Sequence, residues 1–295
     1  MFGPVEVGNA WRDRRTDMIG GNRRGDKWHL SNLTMTRLSM AEGLDQADQE
    51  ALAEACGDIR SVRAGTDLQR EGTPARGLHI LLDGWAARYR IMKNGRRFIP
   101  AVSVPGDICD PDALQYAKLN YGVRMLSAGT VIILPRQQAR ALLASNPAIA
   151  NGFWTLAFAE HSIQTEWSAS IGRRSALHRT AHLLCELLMR LTAIGKANGH
   201  SYDLPVTQEQ LADALGLTSV HINRMVRSLS AMELVTVKHR RVQTHDWLGL
   251  SAMCGFQPNY LRLETIAEEF ALKLPITGAH SRARSARDVP SSLSL

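Results

Sequence analysis

The chain has 295 residues, a formal net charge of +7 and a hydrophobic content of 44%. This length allows two domains plus tails, and the modest basic excess suits a polyanionic partner such as nucleic acid. No apolar run approaches the ~20 residues that span a bilayer, and the N-terminus has no apolar signal-peptide core. We therefore expect a cytoplasmic protein without a membrane segment.

Residues 1–36 are polar, contain glycine and are rich in arginine. This composition predicts a flexible basic extension, and a basic arm lying on DNA is the alternative. Residues 37–145 carry a helical pattern from Arg37 to Ile59 and then short apolar segments separated by glycines. The clearest predicted strands are residues 78–82, 86–91 and 130–134. Short strands with turn residues between them predict an antiparallel, jelly-roll-like β-roll.

A long helix is predicted over residues 146–172, with Asn146 as its cap and Pro147 as its first residue. Its apolar positions recur every three or four residues and include Ile149, Phe153, Leu156, Ile163 and Trp167. We expect this stripe to pair with the same helix of a second subunit, because it exceeds what one small roll can cover. A core helix within one subunit is the alternative. Residues 170–172 predict a break in the helix, with Gly172 as a hinge.

Residues 173–250 carry the pattern of a winged helix-turn-helix domain. After a first amphipathic helix, Thr207 and Gln210 form a Thr-x-x-Gln capping box at the start of the next one. Gly216 supplies the tight turn that follows, and Thr218 caps another amphipathic helix. This succession of cap, turn and cap predicts a helix-turn-helix.

The last of these helices has the polar face of a recognition helix, whose N-terminal side chains meet base edges in the major groove. The basic run at residues 238–241 lies at a predicted hairpin turn, which is typical of a phosphate-contacting wing. We predict that Arg224 reads a base, and Val220 is of the apolar type that can meet a thymine methyl group. The predicted DNA-contacting residues are Thr207, Thr218, Ser219, Val220, His221, Asn223, Arg224, Arg227, Lys238, Arg240 and Arg241. An ordinary amphipathic helical hairpin with a solvated charged loop is the alternative.

Together these segments resemble the Crp/Fnr family of bacterial transcription regulators over about residues 37–265. The resemblance rests on the roll segments VRAGTDLQREG, GLHILLDGWAARYR and VPGDI, on the hinge segment IGRRSALHRTAHLLCELLMRL, and on LPVTQEQLADALGLTSVHINRMVRSL. It implies a cyclic-nucleotide-binding-like sensor roll, a homodimer, a roughly palindromic operator, and contact with RNA polymerase when the protein activates. Residues 251–295 are expected to form a C-terminal extension and a flexible tail.

The chain departs from the family's pattern at the sensor site. Cyclic-nucleotide binders of the family carry Gly-Glu near a turn and then an arginine that neutralises the cyclic phosphate. Here the first motif is Gly106-Asp107, and the second falls on residues 119–121, without the arginine. The residues of the predicted effector pocket are Gly106, Asp107, Asn120, Tyr121 and Arg124. We therefore predict that cyclic AMP does not control this protein, and that the sensor reads another molecule, a redox change at Cys109, or nothing.

In the recognition helix only Arg224 matches the family's pattern, so the operator sequence stays open. His178, His182 and Cys185 are spaced to lie on one helix face, but no second cluster completes a metal site. The preferred interpretation is core packing for His182 and Cys185, with His178 near the hinge. His79 is a lone histidine in a strand, where a structural role is favoured over haem binding. We predict neither metal nor cofactor.

The fold class predicted from these elements is α+β. It combines the β-roll, the long dimerisation helix and the C-terminal winged helix-turn-helix domain. We expect a DNA-binding regulator and not an enzyme, since no nucleophile elbow, HExxH or phosphate-binding glycine loop is present. A cyclic-nucleotide-binding module that controls a partner and a cupin-like enzyme are the alternatives from other classes.

Overall fold

The computed structural model describes residues 44–57 and 59–263. The extension predicted at residues 1–36 lies outside the described residues, as does the part of the predicted C-terminal tail after residue 263. Among the described helices, none is both long and apolar enough to cross a membrane.

The first half of the described chain folds into an antiparallel β-roll, as the sequence predicts. Its elements are α1 (Gln46–Ala55), β1 (Ile59–Val62), β2 (Asp67–Gln69), β3 (Gly77–Asp83), β4 (Ala86–Ile91), β5 (Arg97–Ser103), a 3-10 helix (Pro111–Leu114), β6 (Gly122–Met125) and β7 (Gly129–Pro135). One sheet has the order β1-β7-β3 and the other β2-β6-β4-β5, with antiparallel pairing throughout. The helix predicted as far as Ile59 is wrong at its end, because Ile59 begins β1 and pairs with Ile132.

The strand β3 is buried along its whole length except at Asp83. An alternating pattern is absent because one face of β3 lines the interior of the roll and a helix packs on the strand from outside. The turn after β3 requires glycine, since Gly84 has φ +81° and a Cβ there would lie 2.6 Å from the carbonyl oxygen of Ala128.

Two helices lead from the roll to the second half of the chain, namely α2 (Arg136–Ser145) and α3 (Pro147–Arg173). Pro147 occupies the first turn of α3, as predicted. The break predicted at residues 170–172 is wrong, because α3 continues through Gly172 to Arg173, and the chain becomes extended only at Arg174. A single glycine lowers helix propensity by only about 1 kcal/mol, which the packing of a 27-residue helix overcomes.

The second half of the described chain is the winged helix-turn-helix domain. Its elements are α4 (Ala176–Ala193), β8 (Ala197–Asn198), β9 (Ser201–Asp203), α5 (Gln208–Leu215), α6 (Ser219–Ala231), β10 (Val235–Lys238), β11 (Arg241–Thr244), α7 (Trp247–Cys254) and a second 3-10 helix (Pro258–Leu261). The strands form one sheet of order β10-β11-β9-β8. The domain's buried core continues to Leu263, beyond the boundary predicted at residue 250.

Two hydrophobic cores are present, and α3 contributes to both. One lies within the roll, and the other extends from the helix-turn-helix domain onto β4 and β5 of the roll. Ile149 and Phe153 near its start pack in the core of the roll. Ile163 and Trp167 near its end pack in the core of the helix-turn-helix domain. The predicted α+β class and the order of roll, long helix and winged domain are confirmed.

Candidate nucleic-acid interface

The helix-turn-helix is held by the caps that the sequence predicts. The Thr207 hydroxyl accepts a hydrogen bond from Gln210 N at 3.1 Å, and Thr207 N donates to Gln210 Oε1 at 2.8 Å. Gly216 ends α5 in the left-handed conformation, with φ 63°. Thr218 then caps α6 by accepting a hydrogen bond from His221 N at 3.3 Å. These bonds satisfy N–H groups that helix formation leaves free, and they fix the angle between α5 and α6.

The helix α6 divides cleanly into a buried and an exposed face. Ile222 and Leu229 are fully buried in the domain core. Val220, Arg224 and Arg227 are exposed on the opposite face, and Val220 exposes 71% of its surface. An exposed β-branched side chain and two exposed guanidinium groups on one helix face match the chemistry of major-groove readout.

The other predicted contact residues lie around this face. Ser219, His221 and Asn223 are half-buried on α6, and Thr207 and Thr218 are exposed at the starts of α5 and α6. Both threonines cap their helices by accepting hydrogen bonds at their hydroxyl oxygens, and a hydroxyl in this role keeps its O–H as a donor.

The basic hairpin forms a two-residue turn between β10 and β11. Lys238 pairs with Arg241 across it, and both intervening residues, His239 and Arg240, have positive φ values of 50° and 59°. Two consecutive residues with positive φ define a turn that normally has the sequence Asn-Gly. Residues other than Gly, Asn and Asp adopt this backbone conformation at an energetic cost. All four side chains are exposed, and Arg241 also donates to Ser201 Oγ at 2.9 Å.

The helix α5 docks on the outside of the roll. Arg97 on β5 contacts Asp213 of α5 through its Nε at 2.7 Å and Glu209 through its Nη2 at 3.6 Å. Beside this contact the recognition face of α6 stays exposed. The winged domain is thus fixed to the roll of its own subunit through a helix that carries no predicted base contacts.

A buried ionic network of Asp107, Glu186 and Arg190 joins the two halves more deeply. Arg190 on α4 donates to Asp107 Oδ2 at 2.7 Å, to Glu186 Oε1 at 3.2 Å and to the Val102 carbonyl at 2.9 Å. All three charged side chains are buried. Burial alone lowers the pKa of Arg190, but the carboxylates of Asp107 and Glu186 outweigh it and the net pKa is raised.

Glu186 ties two further segments to the network. Its Oε2 accepts hydrogen bonds from Trp167 Nε1 of α3 at 2.8 Å and from Tyr260 Oη at 2.9 Å. Burial raises the pKa of Glu186 in spite of Arg190 and these donors. The end of α3, the middle of α4 and the C-terminal 3-10 helix therefore meet at one carboxylate. Sequence reasoning missed this network, because its members are far apart in the chain.

The predicted effector-pocket residues are not brought together. Asp107 faces Arg190 and accepts a hydrogen bond from Val104 N at 2.8 Å, and Asn120 is exposed. The Tyr121 hydroxyl donates to Asp112 at 3.0 Å. Gly106, with φ 93°, serves the turn and donates its N–H to the Leu81 carbonyl at 2.7 Å.

Arg124 is turned away from the interior of the roll. Its neighbours in β6, Val123 and Met125, are fully buried in the roll core, whereas Arg124 is half-exposed. It makes two hydrogen bonds to Asp67, at 2.7 Å and 3.0 Å, and stacks on the ring of Tyr89. Burial raises the pKa of Asp67, but the hydrogen bonds from Arg124 and Tyr89 prevail and lower it.

The predicted dimer stripe on α3 is corrected by the burial of its side chains. Ile149, Phe153, Ile163 and Trp167 are buried within the subunit, and Leu156 is half-buried against the roll core. The alternative, a core helix within one subunit, holds for these positions. Sequence periodicity identifies an apolar face but not what covers it. The apolar side chains left open on α3 are Trp154, which is 42% exposed, and Phe158, which is 66% exposed.

Two of the histidines with possible ligand roles, His79 and His182, are engaged by neighbouring side chains. His79 lies 2.7 Å from Asp110 through its Nδ1 and donates its backbone N–H to the same carboxylate at 2.7 Å. His182 stacks on Tyr260, whereas His178 is exposed on the same helix. Between residues 44 and 263, apart from the undescribed residue 58, no three His, Cys, Asp or Glu side chains are grouped to hold a metal ion.

Comparison with known proteins agrees with this architecture. The protein-family model of the cyclic nucleotide-binding domain matches residues 59–146 of the sequence. The family model of the Crp-like helix-turn-helix domain matches residues 178–253. Together they cover more than half of the chain.

The chain belongs to the Crp/Fnr family.

Characterised proteins with similar sequences are named as regulators of this family. The transcriptional activator FnrL of Cereibacter sphaeroides is 25% identical over 201 residues, which is 66% of this chain and 80% of the relative. The nitrogen fixation regulation protein FixK of Azorhizobium caulinodans is 24% identical over 212 residues, or 70% and 84% of the two chains. These relatives are regulators and not enzymes, so the cupin-like alternative is not supported.

Solved structures of Crp/Fnr regulators share the fold. FixK2 from Bradyrhizobium japonicum has a TM-score of 0.60 at 21% identity, covering 66% of this chain and 96% of that one. A c-di-GMP responsive regulator, CLP of Xanthomonas campestris, has a TM-score of 0.56 at 16% identity, covering 68% and all of the respective chains. The family model for the helix-turn-helix ends inside α7, so Tyr260 and its bond to Glu186 lie outside the part that defines this domain.

A pH-dependent stability is expected from His182 of this Crp/Fnr protein. Burial, together with the charge of Arg174, lowers the pKa of His182 to about 4 against the attraction of Glu166. Below its ordinary pKa of about 6.5 the unfolded chain takes up a proton that the folded chain refuses, so stability is lost as the pH falls towards 4. His182→Phe should remove about 2 kcal/mol of the loss between pH 7 and pH 5, measured by urea unfolding.

The matched control is His178→Phe on the exposed side of the same helix, which should leave the pH dependence unchanged. Equal pH profiles for wild type and His182→Phe would show that the folded protein protonates His182 normally.

Proposed function

We propose that the protein is a homodimeric, sequence-specific DNA-binding regulator that places α6 of each subunit in the major groove of a roughly palindromic operator. The exposed polar face of α6 carries this proposal, since Arg224 and Arg227 are exposed and make no ion pair within the described residues. The basic turn between β10 and β11 supplies phosphate contacts beside it. Two half-sites about one helical turn, ~34 Å, apart match the symmetry of a dimer.

Arg224 is the residue proposed to read sequence directly. Arg224→Ala should weaken binding to the operator by about 1–3 kcal/mol and leave binding to random duplex nearly unchanged, because a bidentate contact to guanine is lost only on the specific site. A gel-shift titration at several salt concentrations, with operator and scrambled DNA, measures the two affinities.

Lys238→Ala is the matched control at the wing. It should weaken binding to both duplexes alike and lower the salt slope by about 1, as loss of one phosphate contact does. An equal loss on both duplexes for Arg224→Ala would place Arg224 on phosphate as well.

We further propose that cyclic AMP and cyclic GMP are not the signal. A buried cyclic phosphate needs a compensating cation, because an unpaired buried anion is strongly unfavourable. Asp107 adds a negative charge beside the turn, and its partner Arg190 is already shared with Glu186. Arg124, the nearest substitute by sequence, is engaged by Asp67 on the outer side of β6.

Isothermal titration with cyclic AMP is therefore expected to give no saturable heat at micromolar concentrations. Saturable micromolar binding that also tightens operator affinity would contradict this, and Arg124→Ala would then show whether Arg124 leaves Asp67 to hold the phosphate.

If the protein activates transcription, the family resemblance adds RNA polymerase as a partner, which an in vitro transcription assay on the same operator tests.

A further inference from the structure

The thiols of Cys185 and Cys254 meet inside the helix-turn-helix domain. Cys185 lies in the middle of α4 and is fully buried, and Cys254 is the last residue of α7 and is 4% exposed. The two buried thiols are close enough to shift each other's pKa. Neither the sequence spacing nor the family match assigns a role to this pair.

The surrounding contacts bring the same two segments together. His182 and Glu186, on either side of Cys185 along α4, both contact the segment that follows Cys254. The His182 ring packs on Phe256 with ring centroids 5.2 Å apart, and Glu186 accepts the hydrogen bond from Tyr260. This face of α4 is therefore held against the C-terminal end of α7.

We propose that Cys185 and Cys254 are a reversible disulfide site, which a hydroperoxide oxidises and a dithiol reduces. The bond would connect α4 to α7 and close a covalent loop of about 70 residues around the whole helix-turn-helix and wing. Two sulfurs in contact need to approach by roughly 2 Å to reach the disulfide length of ~2.05 Å, which a small shift of α7 supplies.

The two thiols differ in a way that suits successive steps. Cys254, at the end of α7 and less deeply buried than Cys185, is the attacking sulfur. The pKa shifts agree with this order, since burial raises the pKa of Cys185, whereas the neighbouring Cys185 lowers the pKa of Cys254 against its own burial. As a thiol Cys254 donates to the Ser251 carbonyl of its own helix, at 3.6 Å. Gly255, left-handed with φ 63°, ends α7 at this point, and local opening of this last turn admits the oxidant.

The chemistry balances in two steps. The Cys254 thiolate attacks one oxygen of hydrogen peroxide, the O–O bond breaks, and the other oxygen leaves as water after protonation, giving a sulfenic acid. The Cys185 sulfur then attacks the sulfenic sulfur, the S–O bond breaks, and a second water leaves. Two thiols lose two electrons and two protons, and one peroxide becomes two waters.

Peptide mapping of the full-length, folded protein tests this directly. After reduction, removal of the reductant and treatment with hydrogen peroxide, trypsin releases residues 180–190 and 242–262, each with one of the two cysteines. We expect these peptides to be linked, two hydrogens lighter than their sum, and separated again by dithiothreitol. The linked protein should also melt roughly 5–10 °C higher in its winged domain.

Variants and the other cysteines supply the controls. Cys254→Ser should abolish both the linked peptide and the rise in melting temperature, whereas Cys185→Ala should leave a sulfenic acid on Cys254 that dimedone traps. Peptides with Cys56 or Cys109 should stay unlinked. The proposal fails if Cys254 is over-oxidised without linkage, if either sulfur links to Cys56 or Cys109, or if linkage requires prior unfolding in urea. None of these outcomes depends on the operator or on DNA binding.

Discussion

Arg190→Met is expected to lower the free energy of unfolding by about 3–5 kcal/mol, the usual cost of removing one partner from a buried ion pair. The methionine fills much of the volume, but Asp107 and Glu186 lose the cation that compensates them inside the protein. The Val102 carbonyl loses its donor as well. Urea unfolding monitored by tryptophan fluorescence measures the loss, since Trp167 bonds to Glu186 and reports on this site.

Two further variants separate burial from charge. Lys196→Ala removes an exposed ion pair between the same two halves, with Lys196 Nζ 3.4 Å from Asp83, and should change stability by no more than about 0.5 kcal/mol. The double variant Asp107→Asn, Arg190→Met should recover part of the loss, because an uncharged amide costs less to bury than an unpaired carboxylate. A loss below about 1 kcal/mol for Arg190→Met would mean that water solvates the carboxylates at this interface.

The helix-turn-helix was predictable because its determinants are local. Thr207 and Gln210 are one turn apart, and Gly216 and Thr218 act on the backbone next to them, so sequence spacing alone specifies their hydrogen bonds. The same holds for the two-residue turn at His239 and Arg240. Each of these features depends on neighbours within four residues.

The network at Arg190 was not predictable because its partners are not local. Arg190 and Asp107 are 83 residues apart in the chain, and Tyr260 and Glu186 are 74 apart. In the sequence Asp107 matches a family motif for ligand binding, yet in the fold its carboxylate faces α4. The motif predicts the position of the turn but not the direction of the Asp107 side chain. That direction depends on Arg190, which α4 of the winged domain places nearby.

The long helix shows the limit of periodicity in another way. The stripe from Ile149 to Trp167 is apolar because the helix crosses two cores in succession, one at each end. A single apolar stripe has the same sequence signature whether it faces its own subunit or a second one. The position of the interface must therefore be argued from what remains exposed after folding.

The proposed dimer interface is accordingly centred on Trp154 and Phe158, whose rings lie 6.5 Å apart on the open face of α3. An aromatic pair this exposed is uncommon on a monomer, and the same face continues through His161 and Thr165, one and two turns further on. In a two-fold dimer the same patch of both subunits forms the interface, so one substitution changes the interface at two positions.

Phe158→Asp is therefore expected to give a folded monomer. Two carboxylates would have to be buried without a partner in the dimer, whereas in the monomer the aspartate remains in water. Sedimentation velocity should show half the mass with an unchanged circular-dichroism spectrum, and operator affinity should fall on the order of 100-fold, because each half-site is then bound alone. Phe158→Leu should keep the dimer. Ile163→Asp should instead unfold the chain, since Ile163 lies in the core of the subunit. If Phe158→Asp sediments as a dimer, the subunits meet elsewhere and the aromatic face of α3 has another partner.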